Sequence, residues 1–269
     1  MNPVEIIRGN GPVILGQPHC GTFLPPEVRA CLNEQGRLLA DTDWHVDRLY
    51  DGLLSDATIV RANFHRYVID ANRDPSGRSL YPSHNTTGLI PQVSFDNVPI
   101  WAEPVGDKEV EKRLHFHSAY HGALEAELQR LRKRHAAVVV FDCHSIRSEI
   151  PFLFDDRLPD FNIGDNNGAT CGRALTRSVA DVCTQAPDYS HVVNGRFRGG
   201  WTTRHYGRPA EGVHAIQMEL AQRTYLVAEA PPFGFSEEKA AALRPILKSI
   251  LSEIDRLALE RARQGGTHA

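Results

Sequence analysis

The chain reads as an α/β domain with a largely parallel or mixed central sheet flanked by helices. Three observations predict this. Short apolar, β-branched runs end in Gly, Pro or polar residues, and segments with apolar residues three and four apart lie between them. One run, His135-Ala-Ala-Val-Val-Val-Phe141, is continuous, as expected of a central strand covered on both faces.

Pro12-Val-Ile-Leu-Gly-Gln-Pro-His19 reads as a short buried strand running into a loop, and Thr58-Ile-Val-Arg-Ala62 as a second strand. From Asp107 to Arg134, Val110, Leu114, His117, His121, Leu124, Leu128 and Leu131 share one helical face. His135–Phe141 is the central strand, and Val213-His-Ala-Ile-Gln-Met-Glu-Leu220 alternates well enough to be another. A final helix starts with Ser236 as N-cap, Glu237 and Glu238 suiting its dipole. It carries Leu243, Ile246, Leu247, Ile250, Ile254 and Leu257 on one face and stops at Gly265-Gly266. The stretch from Asp74 to Gly106 is rich in Pro, Ser, Asn and Gly without a period, and loops of that length are usually functional. No repeat or linker interrupts the pattern, so residues 1–269 are expected to form one domain.

Composition excludes several classes. With 33 acidic and 30 basic residues and a formal net charge of −3, the chain carries no electrostatic footprint for nucleic acid or an anionic membrane. No segment has the roughly 20 apolar residues of a membrane span. The N-terminus lacks the basic and apolar regions of a signal peptide, which argues against secretion. Five cysteines without CxxC spacing (Cys20, Cys31, Cys143, Cys171, Cys183) argue against a disulfide framework or thiolate zinc site and suit a reducing cytoplasm. P-loop, GxGxxG and G-x-S-x-G motifs are all missing.

In open α/β sheets, sites form where strands end. His19 follows the first strand and His144 ends the central one, with Asp142 two residues back as a candidate orienter of its ring. Asp43 and Asp47, four apart near a helix start, are either dipole-favourable acids or a source of one ligand, Asp43 being nearer the loops. Two imidazoles, one carboxylate and an open position are the usual inventory of a catalytic zinc. Asn72-Arg73 can clamp a carboxylate, or Arg73 can pair with Asp70 or Asp74. In Arg196-Phe-Arg-Gly-Gly-Trp-Thr-Thr-Arg-His-Tyr-Gly207 the glycines allow close approach and the arginines can bind a second anion or form a solvated basic loop. Glu219 is costly in so apolar a segment unless it forms a salt bridge or works as a base beside a metal. His117 and His121 have metal-like spacing, but lie along the apolar stripe without the H-E-x-x-H glutamate, which favours packing or hydrogen bonding.

Six stretches, in order, resemble the N-formylglutamate amidohydrolase (deformylase) family from Pro18 to about Tyr225: Pro-His-Cys-Gly-Thr, Asp-Thr-Asp-Trp-His, Arg-Tyr-Val-Ile-Asp-Ala-Asn-Arg, Asp-Cys-His-Ser-Ile-Arg-Ser, Arg-Gly-Gly-Trp-Thr-Thr-Arg-His-Tyr-Gly and Val-His-Ala-Ile-Gln-Met-Glu-Leu. Residues 162–168 and 188–195 also look like this family. The resemblance implies a fold similar to zinc carboxypeptidases and aspartoacylases, of the phosphorylase/hydrolase-like kind. It implies hydrolysis of N-formyl-L-glutamate to L-glutamate and formate, the last hydrolytic step of a histidine degradation route. Those related enzymes usually take a second metal ligand from a glutamate three residues after the first histidine. Here that position is Thr22, so Asp43 replaces it. The implied site has one divalent cation, zinc, on His19, Asp43 and His144, with Glu219 as general acid/base and Arg66 facing the oxyanion. Asn72 and Arg73 would bind the α-carboxylate and Arg198 or Arg204 the side-chain carboxylate of this small dicarboxylate. The alternatives are an aspartoacylase-like deacylase or carboxypeptidase-like peptidase on the same scaffold, and a non-catalytic binder of an anionic metabolite, which would have no need of Glu219.

Overall fold

A computed structural model describes residues 2–79, 84–106 and 108–265. In chain order the elements are β1 (Val4–Ile7), β2 (Val13–Gln17), α1 (Pro26–Cys31), α2 (Glu34–Arg37), α3 (Val46–Tyr50), β3 (Thr58–Ala62), α4 (Lys108–Arg132), β4 (Val138–Ile146), β5 (Phe161–Gly164), α5 (Arg173–Thr184), β6 (His191–Val193), α6 (Trp201–Tyr206), β7 (Val213–Ala221) and α7 (Glu237–Gly265). The strands form one mixed sheet in the order β1-β3-β2-β4-β7-β5-β6. Strands β3, β2, β4 and β7 run parallel, β1 is antiparallel to β3, and β5 is antiparallel to β7.

The expected α/β architecture with a mixed sheet is therefore present. β4 is buried along all nine residues, because β2 and β7 pair with its two edges and helices cover both its faces. It runs beyond the β-branched core to Ile146, so Asp142-Cys143-His144-Ser145 belong to the strand itself. β7 is likewise fully buried, so its alternation separates two packed faces and not core from solvent. On one face, Val139, Phe141, Ile216 and Met218 pack on Leu243, Leu247, Ile250 and Ile254 of α7 and on Val179 of α5. On the other, Val138, Val140 and Ala215 pack against Tyr120, Leu124, Leu128 and Leu131 of α4.

The helix expected over Asp107–Arg134 is α4, its first residue lying outside the described ones, as does Gly266 at the other helix end. Ser236 does cap α7, its Oγ accepting from Lys239 N at 3.3 Å. The register of β4 on β7 sets Asp142 beside Gln217 and His144 beside Glu219. Strand alternation then puts all four on the face covered by α4, towards the C-terminal ends of the parallel strands.

Candidate active site

His19 leaves the end of β2 and His144 projects from β4 next to it, both 2% exposed. Their Nδ1 atoms are 3.2 Å apart. Asp43 Oδ2 lies 3.2 Å from Nδ1 of His144 and 3.7 Å from Nδ1 of His19. Donors about 2.0–2.1 Å from one tetrahedral ion stand about 3.3 Å apart, so this triangle fits a zinc-like cation and leaves a fourth direction open. Asp43 reaches it by a different route from the one expected. It does not share a helical face with Asp47; it sits in a turn ahead of α3, while Asp47 is inside α3 and outside the donor triangle. The turn is fixed by Asp43 N donating to His19 O (3.1 Å), and the carboxylate by N–H groups of Ser145 (3.2 Å) and Arg66 (2.8 Å). Thr22 is exposed.

The outer imidazole nitrogens face carboxylates. His19 Nε2 is 2.7 Å from Asp70 Oδ1, and His144 Nε2 is 2.9 Å from Asp142 Oδ2, with Nδ2 of Asn72 3.1 Å from the same nitrogen. When both Nε2 atoms carry the proton, both Nδ1 lone pairs point into the triangle, and the Asn72 Nδ2 group, itself a donor, then makes no hydrogen bond to His144. Both Asp142 oxygens and Oδ2 of Asp70 have no hydrogen-bond partner among the described residues. Within this cluster Arg66 pairs with Asp43 at 2.8 Å and Arg73 lies 3.7 Å from Asp70, while the carboxylates of Asp142 and Glu219 are buried beside His144.

Burial raises the Asp43 carboxyl, but Arg66, the hydrogen bond from His144 and the nearby His19 ring outweigh it and hold the group well below the usual carboxylate range. The same contest, with Arg73, His19 and Arg66 on the winning side, keeps Asp70 ionised. For His144 burial favours the neutral ring, and Asp142 with the Asp43 hydrogen bond overcomes it, lifting its pKa well above the ordinary value. Glu219 goes the other way: burial, reinforced by Asp43 and Asp142, pushes it up to about 7 against the pull of His144 and Arg66.

One cavity gathers His19, His144, Glu219, Arg66, Asn72 and Arg73, with Arg196 on its wall. Arg73 is held by Thr87 (Nε to the carbonyl, 2.9 Å) and lies 3.7 Å from Asp70, so the Asp70 pairing and the cavity position coexist. Asn72 accepts from Thr202 N at 2.9 Å. Arg198 is exposed and Arg204 Nε donates to Gly199 O; neither lines the cavity. The loop offers Arg196 instead, donating to Leu153 O and Asn85 O at 2.8 Å each. Sequence reasoning also passed over Gln217, although a polar residue two places before Glu219 in an apolar strand was a usable signal. His117 and His121 lie outside the metal triangle; their Nε2 atoms donate to the carbonyls of Arg73 (3.0 Å) and Ala71 (2.7 Å).

Residues 11–226 match the model of the N-formylglutamate amidohydrolase family. The chain is 44% identical over 251 residues to the N-formylglutamate deformylase of Pseudomonas aeruginosa, covering 92% of this chain and 94% of that protein. It is 43% identical over 258 residues to the N-formylglutamate deformylase of Pseudomonas putida, covering 94% and 96%. The crystal structure of N-formylglutamate amidohydrolase from Ralstonia eutropha JMP134 superposes with a TM-score of 0.79 at 27% identity, over 98% of this chain and 100% of that one. By motif order, fold and relatives alike, the chain belongs to the N-formylglutamate amidohydrolase family.

Proposed function

We propose that this protein hydrolyses N-formyl-L-glutamate to L-glutamate and formate, as the final hydrolytic step of histidine degradation, using zinc held by His19, Asp43 and His144. The observation that carries the reading is the meeting of that donor triangle, whose His19 and His144 line the cavity, with an elevated-pKa carboxyl and cationic side chains on the same walls. When bound, the cation supplies Lewis-acid polarisation of water and of the formyl carbonyl. Glu219 takes a proton from the attacking water and delivers it to the amine nitrogen as the formyl C–N bond breaks, because an amide anion is a very poor leaving group. Arg66, 5% exposed and steered by Asp43, faces the charge that develops on the formyl oxygen. Arg73, with Asn72, takes the α-carboxylate. The side-chain carboxylate falls to Arg196, since Arg198 and Arg204 do not line the cavity.

Formate release, measured side by side on N-formyl-L-glutamate, N-formyl-L-alanine and N-acetyl-L-glutamate, with product glutamate followed for the last, tests this together with metal analysis. We expect one equivalent of zinc and a clear preference for the formylated dicarboxylate. Equal turnover of the acetyl compound would return the assignment to a broader deacylase.

A further inference from the structure

The two carboxylate oxygens of Glu219 have different surroundings. Oε2 accepts a hydrogen bond from Nε2 of Gln217 at 3.0 Å. Oε1 has no hydrogen-bond partner among the described residues, and the small part of Glu219 that stays accessible, 7%, opens on the cavity. Gln217 cannot turn its amide round without losing a bond, because its Oε1 accepts from Gly200 N at 2.8 Å. The Nε2 end therefore always meets the glutamate. Spacing does the rest: residues 217 and 219 are two apart on β7 and share a face.

The same first turn of α6 holds the substrate side of the site. Thr202 N donates to Asn72 Oδ1 at 2.9 Å, two residues after Gly200 N engages Gln217. A Cβ on residue 200 would sit 2.3 Å from the Asn72 amide, so a glycine there lets both amides dock on one short helix start.

We infer that Gln217 is a positioning residue for Glu219: it immobilises Oε2 and leaves Oε1 as the single atom that accepts and returns the proton. The inference rests on the hydrolytic reading above. Its chemistry is that of a preorganised base, whose orientation is fixed before substrate arrives and is not found during turnover.

Two substitutions separate this from a merely structural role. Gln217→Met removes both bonds of the amide. Gln217→Glu retains an acceptor for Gly200 N but takes the N–H away from Glu219. We expect both to lower kcat about 10–100-fold with zinc content near wild type, and KM to stay near wild type in Gln217→Glu, which keeps the Gly200 bond. Crystal structures of both variants should show the Glu219 carboxylate displaced. Wild-type kcat in Gln217→Glu, or an unmoved carboxylate in either crystal, overturns the inference. Failure of the wild-type protein to release formate would instead remove the hydrolytic reading, and the crystal structures would still decide whether Gln217 sets the position of Glu219.

Discussion

Glu219 ties burial to pH dependence. A base has to be ionised to accept a proton, and here burial first, then Asp43 and Asp142, push ionisation up to about 7. The kcat/KM of the enzyme is therefore expected to rise with pH through the titration of Glu219 and level off above it, a bound cation moving the inflection to lower pH. A profile flat from the ordinary carboxyl value of 4.5 up to about 7 would dismiss Glu219 as the base. Glu219→Gln should reduce kcat by about 10²–10⁴-fold with the cation still bound, measured by formate release and metal analysis. Stability moves in the opposite direction. Because the folded pKa lies above the ordinary value of 4.5, the folded state of the cation-free protein binds more protons, and this group costs it stability as pH rises from 4.5 through about 7. Cation-free Glu219→Gln should accordingly melt higher than wild type at about pH 8 and show no such gain at about pH 4.

The helix α4 does more than cover the sheet. Its stripe carries two histidines one turn apart, and both donate to backbone carbonyls of the segment that presents Asn72 and Arg73. Burial lowers the pKa of both, His121 to about 3, so each keeps the neutral ring in which Nε2–H donates and Nδ1 is free to accept. Tyr206 of α6 stands 3.0 Å from Nδ1 of His121, which links α4 to the helix that docks the two amides. His121→Ala would strand the Ala71 carbonyl, at a cost of about 1–3 kcal/mol. Its expected signature is a lower melting temperature and a raised KM for the dicarboxylate, with a smaller change in kcat. An unchanged KM would mean that the segment keeps its place without this clamp.

Across the molecule, the sheet converts distant sequence into one charged cluster. β2 brings His19, β4 brings Asp142 and His144, β7 brings Gln217 and Glu219, and the loops after β2 and β3 bring Asp43, Arg66, Asp70 and Asn72. So many buried acids resist folding unless something positive joins them. A cation that binds the native state alone stabilises it by mass action. Chelation is thus expected to lower the melting temperature and abolish turnover, with both restored by zinc. His144→Ala should erase the difference between chelated and zinc-loaded melts. A melt indifferent to chelator in the wild-type protein would argue against a resident ion.

The elements with strong periodicity were legible from residues alone: β3 at Thr58–Ala62, the β-branched start of β4, β7, and the striped helices α4 and α7. So were the two histidines at strand ends, because a parallel sheet presents its loops at one edge. Other elements carried no comparable signal. β1, β5 and β6 span three or four residues each, and their strand character comes from neighbours far away in the chain, as when Phe161 pairs with Leu220. The direction of a loop side chain was equally hidden. Arg196, Arg198 and Arg204 look interchangeable in sequence, yet Asn166 N holds the Arg198 carbonyl at 2.7 Å and Gly199 takes a φ of +107°, turning Arg196 and not Arg198 onto the cavity wall. Local patterning specifies which segments bury an apolar face and which polar residues interrupt them. The choice of Asp43 over Asp47, and of one arginine among three, is made by long-range hydrogen bonds that exist only once the sheet has assembled.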